Sequence, residues 1–158
     1  MSTGPFDLRT VELPPPDGLS SSFRQIEVDG RLDRDVLVVA FAGVYPPGSR
    51  GNRHGHYMKA RTAFGLVAFD PSCIVLDLRE LEYTWGNTLL GVFQVVHEIT
   101  GEEGEAPIPV LAVTSEKCRA AFLSLVTPVG GDAPDWHFES LDEAIAAGRE
   151  RAREWLDS

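Results

Sequence analysis

Asp35-Val36-Leu37-Val38-Val39-Ala40-Phe41-Ala42 is an almost unbroken apolar run, rich in β-branched residues and of strand length. A run of this kind suits a central strand buried on both faces of a sheet. Cys73-Ile74-Val75-Leu76-Asp77-Leu78 is a second one. The chain between the two is long enough for a helical crossover, so the two strands are expected side by side and parallel. Upstream, Phe23 to Val28 alternates, with Ile26 and Val28 on one side of a half-exposed strand. Asp29-Gly30 is a turn signal, and Arg31 to Arg34 extends the loop, giving an antiparallel hairpin that feeds the sheet.

Gly43, Gly48, Gly51 and Gly55, with Pro46-Pro47, read as a long loop from Gly43 to Gly55. His56 to Phe69 then shows a helical face through Met58, Ala63, Leu66 and Val67, stopped by Asp70-Pro71. Asn87 is a good N-cap for a helix whose stripe is Leu89, Leu90, Val92, Phe93, Val96 and Ile99, with Gly101 beyond it. Pro109 to Val113 is a strand, and Ser115 caps a further helix. Trp136-His137-Phe138 is a short strand, and Ser140-Leu141-Asp142-Glu143 is a capping box that opens the last helix. The order β-β-α-β-α-β-α-β-α predicts an α/β fold: a mostly parallel five-stranded sheet with an opening hairpin and about four helices.

The chain has 158 residues, 14 Lys+Arg against 24 Asp+Glu, and a net charge of −10. That length fits one core. Residues 1–22, with Pro14-Pro15-Pro16 and Ser20-Ser21-Ser22, read as a flexible leader with at most a short docking contact through Phe6, Leu8 and Val11. Residues 23–158 form the single domain. The opening MSTGPFDLRTVELPPPDG lacks the basic and apolar regions of a secretory signal, and no apolar run is long enough to span a membrane. Two cysteines, Cys73 and Cys118, suit a reducing cytoplasm rather than a disulfide framework. The negative charge argues against nucleic acid and anionic lipid as partners.

The order and several local sequences resemble the STAS domain, the family of sulfate transporters and anti-sigma factor antagonists. The similarity spans roughly Phe23 to Ala147: Asp35 to Gly43 as an early strand ending in Gly, Ile74 to Leu81 as the central strand, and Ser140 to Ile145 as the start of the last helix. The resemblance implies a bacterial regulatory module that binds a kinase-like or sigma-related protein, with no cofactor; self-association stays open. In the antagonist branch the central strand leads to an Asp-Ser-x-Gly turn whose Ser accepts phosphate. This chain has Thr84-Trp85-Gly86-Asn87-Thr88 there, so the switch serine is missing and Thr88 is one position out of register. A rival resemblance is to the crotonase and Clp-protease superfamily, in which Gly86 and Gly43 amides would form an oxyanion hole for an acyl thioester or a peptide.

Phosphate-loop, dinucleotide and nucleophile-elbow motifs are absent from the sequence, and no catalytic set emerges. His54-Gly55-His56 is the best metal lead, with no third ligand nominated. Arg50, Arg53, Lys59 and Arg61 form a basic cluster with no acid between Arg50 and Arg61. Cys118 falls in a helix first turn, where a thiol pKa can drop, but a structural cysteine is the default reading there. Asp77, Tyr45, Tyr83, Trp85, Gly86, Asn87, Thr88, Arg50 and Arg53 all map to the carboxyl edge of the sheet, the expected partner or ligand surface. Trp85 has two readings there, an exposed anchor or a core residue packed under the loop.

Overall fold

The computed structural model describes residues 4–158, so the first three residues of the expected leader lie outside the described residues. Strand β1 (Leu19–Val28) pairs antiparallel with β2 (Arg31–Tyr45). Helix α1 (Asn52–Phe69), strand β3 (Cys73–Tyr83), α2 (Leu90–Thr100), β4 (Val110–Val113), α3 (Arg119–Val126), β5 (His137–Phe138) and α4 (Leu141–Leu156) follow. The sheet order is β1-β2-β3-β4-β5, parallel from β2 onward. This is the α/β architecture expected from the sequence, with the two apolar runs adjacent: Val38 pairs with Val75 and Val39 with Leu76.

Those runs are buried on both sides. Leu37, Val39, Ile74 and Leu76 point into a core shared with α1, α2 and α3. Val36, Val38, Cys73 and Val75 point into a smaller core closed by α4 through Ala144 and Ala152. Each such aliphatic side chain contributes about 1.5–3 kcal/mol on burial, so the paired runs anchor the fold. At α4 the Glu143 backbone N–H donates to Ser140 Oγ at 3.3 Å, and Asp142 and Glu143 face the positive helix end. Among the described residues no helix is long and apolar enough to cross a membrane.

Three local expectations are corrected. Asp29 (φ 52°) and Gly30 (φ 78°) both take positive φ, the conformation of a two-residue type I′ turn. Val28 therefore pairs directly with Arg31, and Arg31 to Arg34 is strand rather than loop. The long loop from Gly43 to Gly55 is absent as well. β2 runs to Tyr45, a 3-10 turn covers Gly48–Gly51, and α1 is helical from Asn52. Two of its glycines serve close contact: a Cβ on Gly51 would strike Tyr45, and one on Gly55 would sit 2.6 Å from Thr88 Cγ2. Finally, neither Asn87 nor Ser115 is an N-cap. Asn87 opens a 3-10 turn ahead of α2, and Ser115 Oγ bonds to the Arg79 carbonyl while α3 starts at Arg119.

Both cysteines are buried and free. Burial pushes the Cys73 thiol up to about 12 and also raises that of Cys118, which donates to the Leu78 carbonyl. Of the two readings of Cys118 the structural one holds, because desolvation outweighs the helix start. Neither thiol is expected to react with iodoacetamide at pH 8 in the folded protein, and both should react in denaturant. Rapid single alkylation of the native chain, read by intact mass, would contradict this packing.

Candidate functional site

Two adjacent strands, β2 and β3, end at the same edge and each turns through a 3-10 segment into a helix. The turns are tied together: the Gly48 N–H donates to the Trp85 carbonyl at 3.3 Å. Gly86 supplies the bend (φ 142°, ψ 128°), a conformation that side chains rarely adopt. Trp85 is 63% exposed and lies against Gly48, where any Cβ would meet its indole at 2.7 Å. Of its two readings, the exposed one holds.

Tyr45 and Tyr83 lie beneath this surface rather than on it. Their rings meet edge to face at 5.1 Å, and the Tyr83 hydroxyl donates to the Gly86 carbonyl at 2.6 Å. Burial pushes the Tyr83 phenol up to about 12, with the neighbouring Tyr45 adding to it, and burial also raises Tyr45. Both rings are neutral supports that fix the Gly86 bend. The Tyr45 hydroxyl sits near Thr88 and the Leu89 backbone without reaching hydrogen-bond geometry to either.

Thr88 joins the two helices, its Oγ1 donating to Asn52 Oδ1 at 2.6 Å. Arg50, on the first turn, and Arg53, early in α1, are exposed, as is Asn87. A cleft of about 300 Å³ separates Trp85, Gly86 and Asn87 from Ala121, Ser124 and Leu125 of α3. The edge thus offers one large exposed aromatic side chain and an open cleft over a neutral aromatic base, whereas Arg53 lines a separate hollow with Leu13, Pro14 and Pro16.

Asp77 does not join this set. β3 continues to Tyr83, so Asp77 lies well inside the strand, paired with Ala40 and Val113. It is buried and holds the Arg79 guanidinium in a fork, at 2.8 Å to Nε and 2.9 Å to Nη2. Its role there is to pin the register break that follows it in β3. The two histidines are also kept apart. Residues two apart on a helix are turned roughly 200° from each other. His54 is buried with Nε2 3.3 Å from the Asp17 carbonyl, whereas His56 is exposed. No group of three His, Cys, Asp or Glu side chains suited to a metal occurs among the described residues. Asn52 went unread in the sequence, and Gly48 and Gly55 were read as loop glycines rather than contacts, although the four-residue spacing of Gly51 and Gly55 was a visible signal of close helix packing.

The crotonase-like alternative expects a second, perpendicular sheet, but the described residues form one sheet. Gly43 sits within it, between Leu19 and Leu81, rather than beside Gly86 at an oxyanion site.

No family model matches the chain, and no curated protein sequence matches it. Solved structures do. An anti-sigma factor antagonist from Mycobacterium paratuberculosis is 20% identical, with 82% of this chain and 95% of that one covered, at a TM-score of 0.52. The anti-sigma factor antagonist SpoIIAA in its unphosphorylated form is 14% identical over 82% and 97% of the two chains, with a TM-score of 0.48. The phosphorylated Bacillus cell fate determinant SpoIIAA is 14% identical over 80% and 98%, with a TM-score of 0.44. The first of these shows that this chain has the fold of an anti-sigma factor antagonist, a STAS fold.

Proposed function

We propose that this chain is a non-catalytic, cytoplasmic regulatory module of the anti-sigma factor antagonist type, binding a kinase-like or sigma-related protein without a phosphoserine switch. The observation that carries the reading is the junction of β3 with α2. An exposed Trp85 beside an open cleft is the type of anchor that dominates protein interfaces, and Arg50 and Arg53 are exposed on the neighbouring turn and helix. The fold shared with the mycobacterial antagonist supports the partner class.

The same junction supports loss of the switch. Gly86 and Asn87 offer no hydroxyl, and that of Thr88 is engaged with Asn52 between two helices. Phosphate on Thr88 would break that bond and place about −1.5 to −2 charge in the tightest part of the junction. Docking is therefore constitutive. Affinity purification from the native host tests this. An ATP-binding kinase-type or sigma-related regulator should be recovered with the wild type and lost with Trp85→Ala. Recovery of such a regulator equally by both proteins would reject this surface, and turnover of an acyl thioester or a peptide by the purified chain would reject the non-catalytic reading.

A further inference from the structure

Among the described residues, the outer face of helix α1 is approached by the leader only in its N-terminal half. Arg53, His56, Ala60, Phe64 and Val67 recur at helical spacing and are all exposed, with Val67 at 73%. Lys59 and Arg61 flank the stripe roughly 100° to either side. Arg61 is held in place, its guanidinium 4.6 Å from the Phe23 ring and 5.2 Å from that of Phe64. From Arg50 to Phe69 the chain has four Lys/Arg and no Asp or Glu, although the whole carries −10. A stripe that is basic at one end and apolar at the other, with Arg61 fixed along its border, suits an acidic, apolar occupant.

The segment before β1 has the opposite character. Leu8 is 93% exposed, and Val11 and Leu13 are exposed too. Asp7, Glu12 and Asp17 outnumber Arg9 among residues 4–18. Its base is anchored: Pro16 is buried, the Leu19 N–H donates to the Pro16 carbonyl, and Asp17 meets His54. Leu13, Pro14 and Pro16 pass Arg53, His56 and Tyr57 at the N-terminal half of α1, leaving Val67 and the outer side of the Phe64 ring, which stacks on Phe23, exposed in the C-terminal half.

We propose that the occupant of the α1 face is the leader of a second copy, exchanged reciprocally in a closed twofold dimer. Each copy contributes one acidic apolar strap and one basic apolar stripe, so the exchange covers both and pairs their charges. The run Pro14–Pro16 favours extended polyproline II geometry, which lowers the ordering cost of such a strap. Reciprocal exchange also closes the assembly, so no stripe is left to recruit further copies.

The test is sedimentation velocity of the full chain across the micromolar to millimolar range, with Leu8→Asp and Val67→Asp variants checked by circular dichroism. Both positions are exposed and lie outside the Trp85 surface, so the fold and that surface stay intact. The expected result is a concentration-dependent dimer, weakened about tenfold or more by either variant and weakened further by salt. A chain that is monomeric throughout would overturn the proposal, whether its leader closes on its own α1 or the stripe serves a different acidic protein. A dimer indifferent to either variant would overturn it as well.

Discussion

Gly43→Ala is expected to destabilise the protein by about 3 kcal/mol or more, lowering Tm by roughly 10 °C in thermal unfolding. Gly43 holds φ at 125°, and a Cβ there would collide with the backbone carbonyl of Gly18. Neither atom belongs to a side chain that can swing aside. The strain of positive φ and the steric clash therefore add, since β1 must shift away from β2 to admit the methyl group. Gly130 provides the control: its φ is also positive, at 74°, but nothing lies within 4 Å of its missing Cβ. Gly130→Ala should cost only about 1 kcal/mol. Equal shifts for the two variants would mean that conformation alone, and not the close approach at Gly43, sets the effect.

Trp85→Ala is expected to weaken partner binding by about 2 kcal/mol or more, close to thirtyfold in Kd, with little change in Tm. The indole is mostly solvent-facing in the free protein, so its removal costs the fold little while taking away the largest apolar contact at the edge. Val129→Ala, at a fully exposed position in the loop after α3, should leave binding unchanged. A titration in which the two variants bind alike would place the partner elsewhere.

The sheet was readable because its two central strands carry their signal in composition. Runs such as Val36–Val39 and Ile74–Leu76 have few other places to go in a chain of this size. Helix α1 shows the opposite case. Its buried residues are His54, Gly55, Met58, Thr62, Gly65 and Leu66, a helical spacing written mostly in residues that count as breakers or as polar. Those glycines are there because Tyr45, Thr88, Phe23 and Leu37 press against them, and contact of that kind comes from other parts of the chain.

Trp85, Gly86 and Asn87 were readable as neighbours on one exposed edge because they adjoin in sequence at a strand end. The burial of Tyr83 was not. Leu76 and Leu78 face the larger core at a spacing of two, but the next inward residues are Leu81 and Tyr83, because the pairing with β2 slips between Asp77 and Glu80. A break of that kind changes the parity of every later residue in the strand, and its only mark in the sequence is the adjacent polar pair Arg79-Glu80, which reads equally well as the end of the strand. Asp77 was misplaced by the same extension of β3, which moved the strand end from Leu78 to Tyr83.

Constitutive docking at the Trp85 edge is tested most directly by calorimetric titration of the recovered regulator with and without magnesium-ATP, followed by intact mass of this chain. The expected result is one Kd under both conditions and an unmodified mass. A phosphate on Thr88 or Thr84, accompanied by a change in Kd, would contradict it.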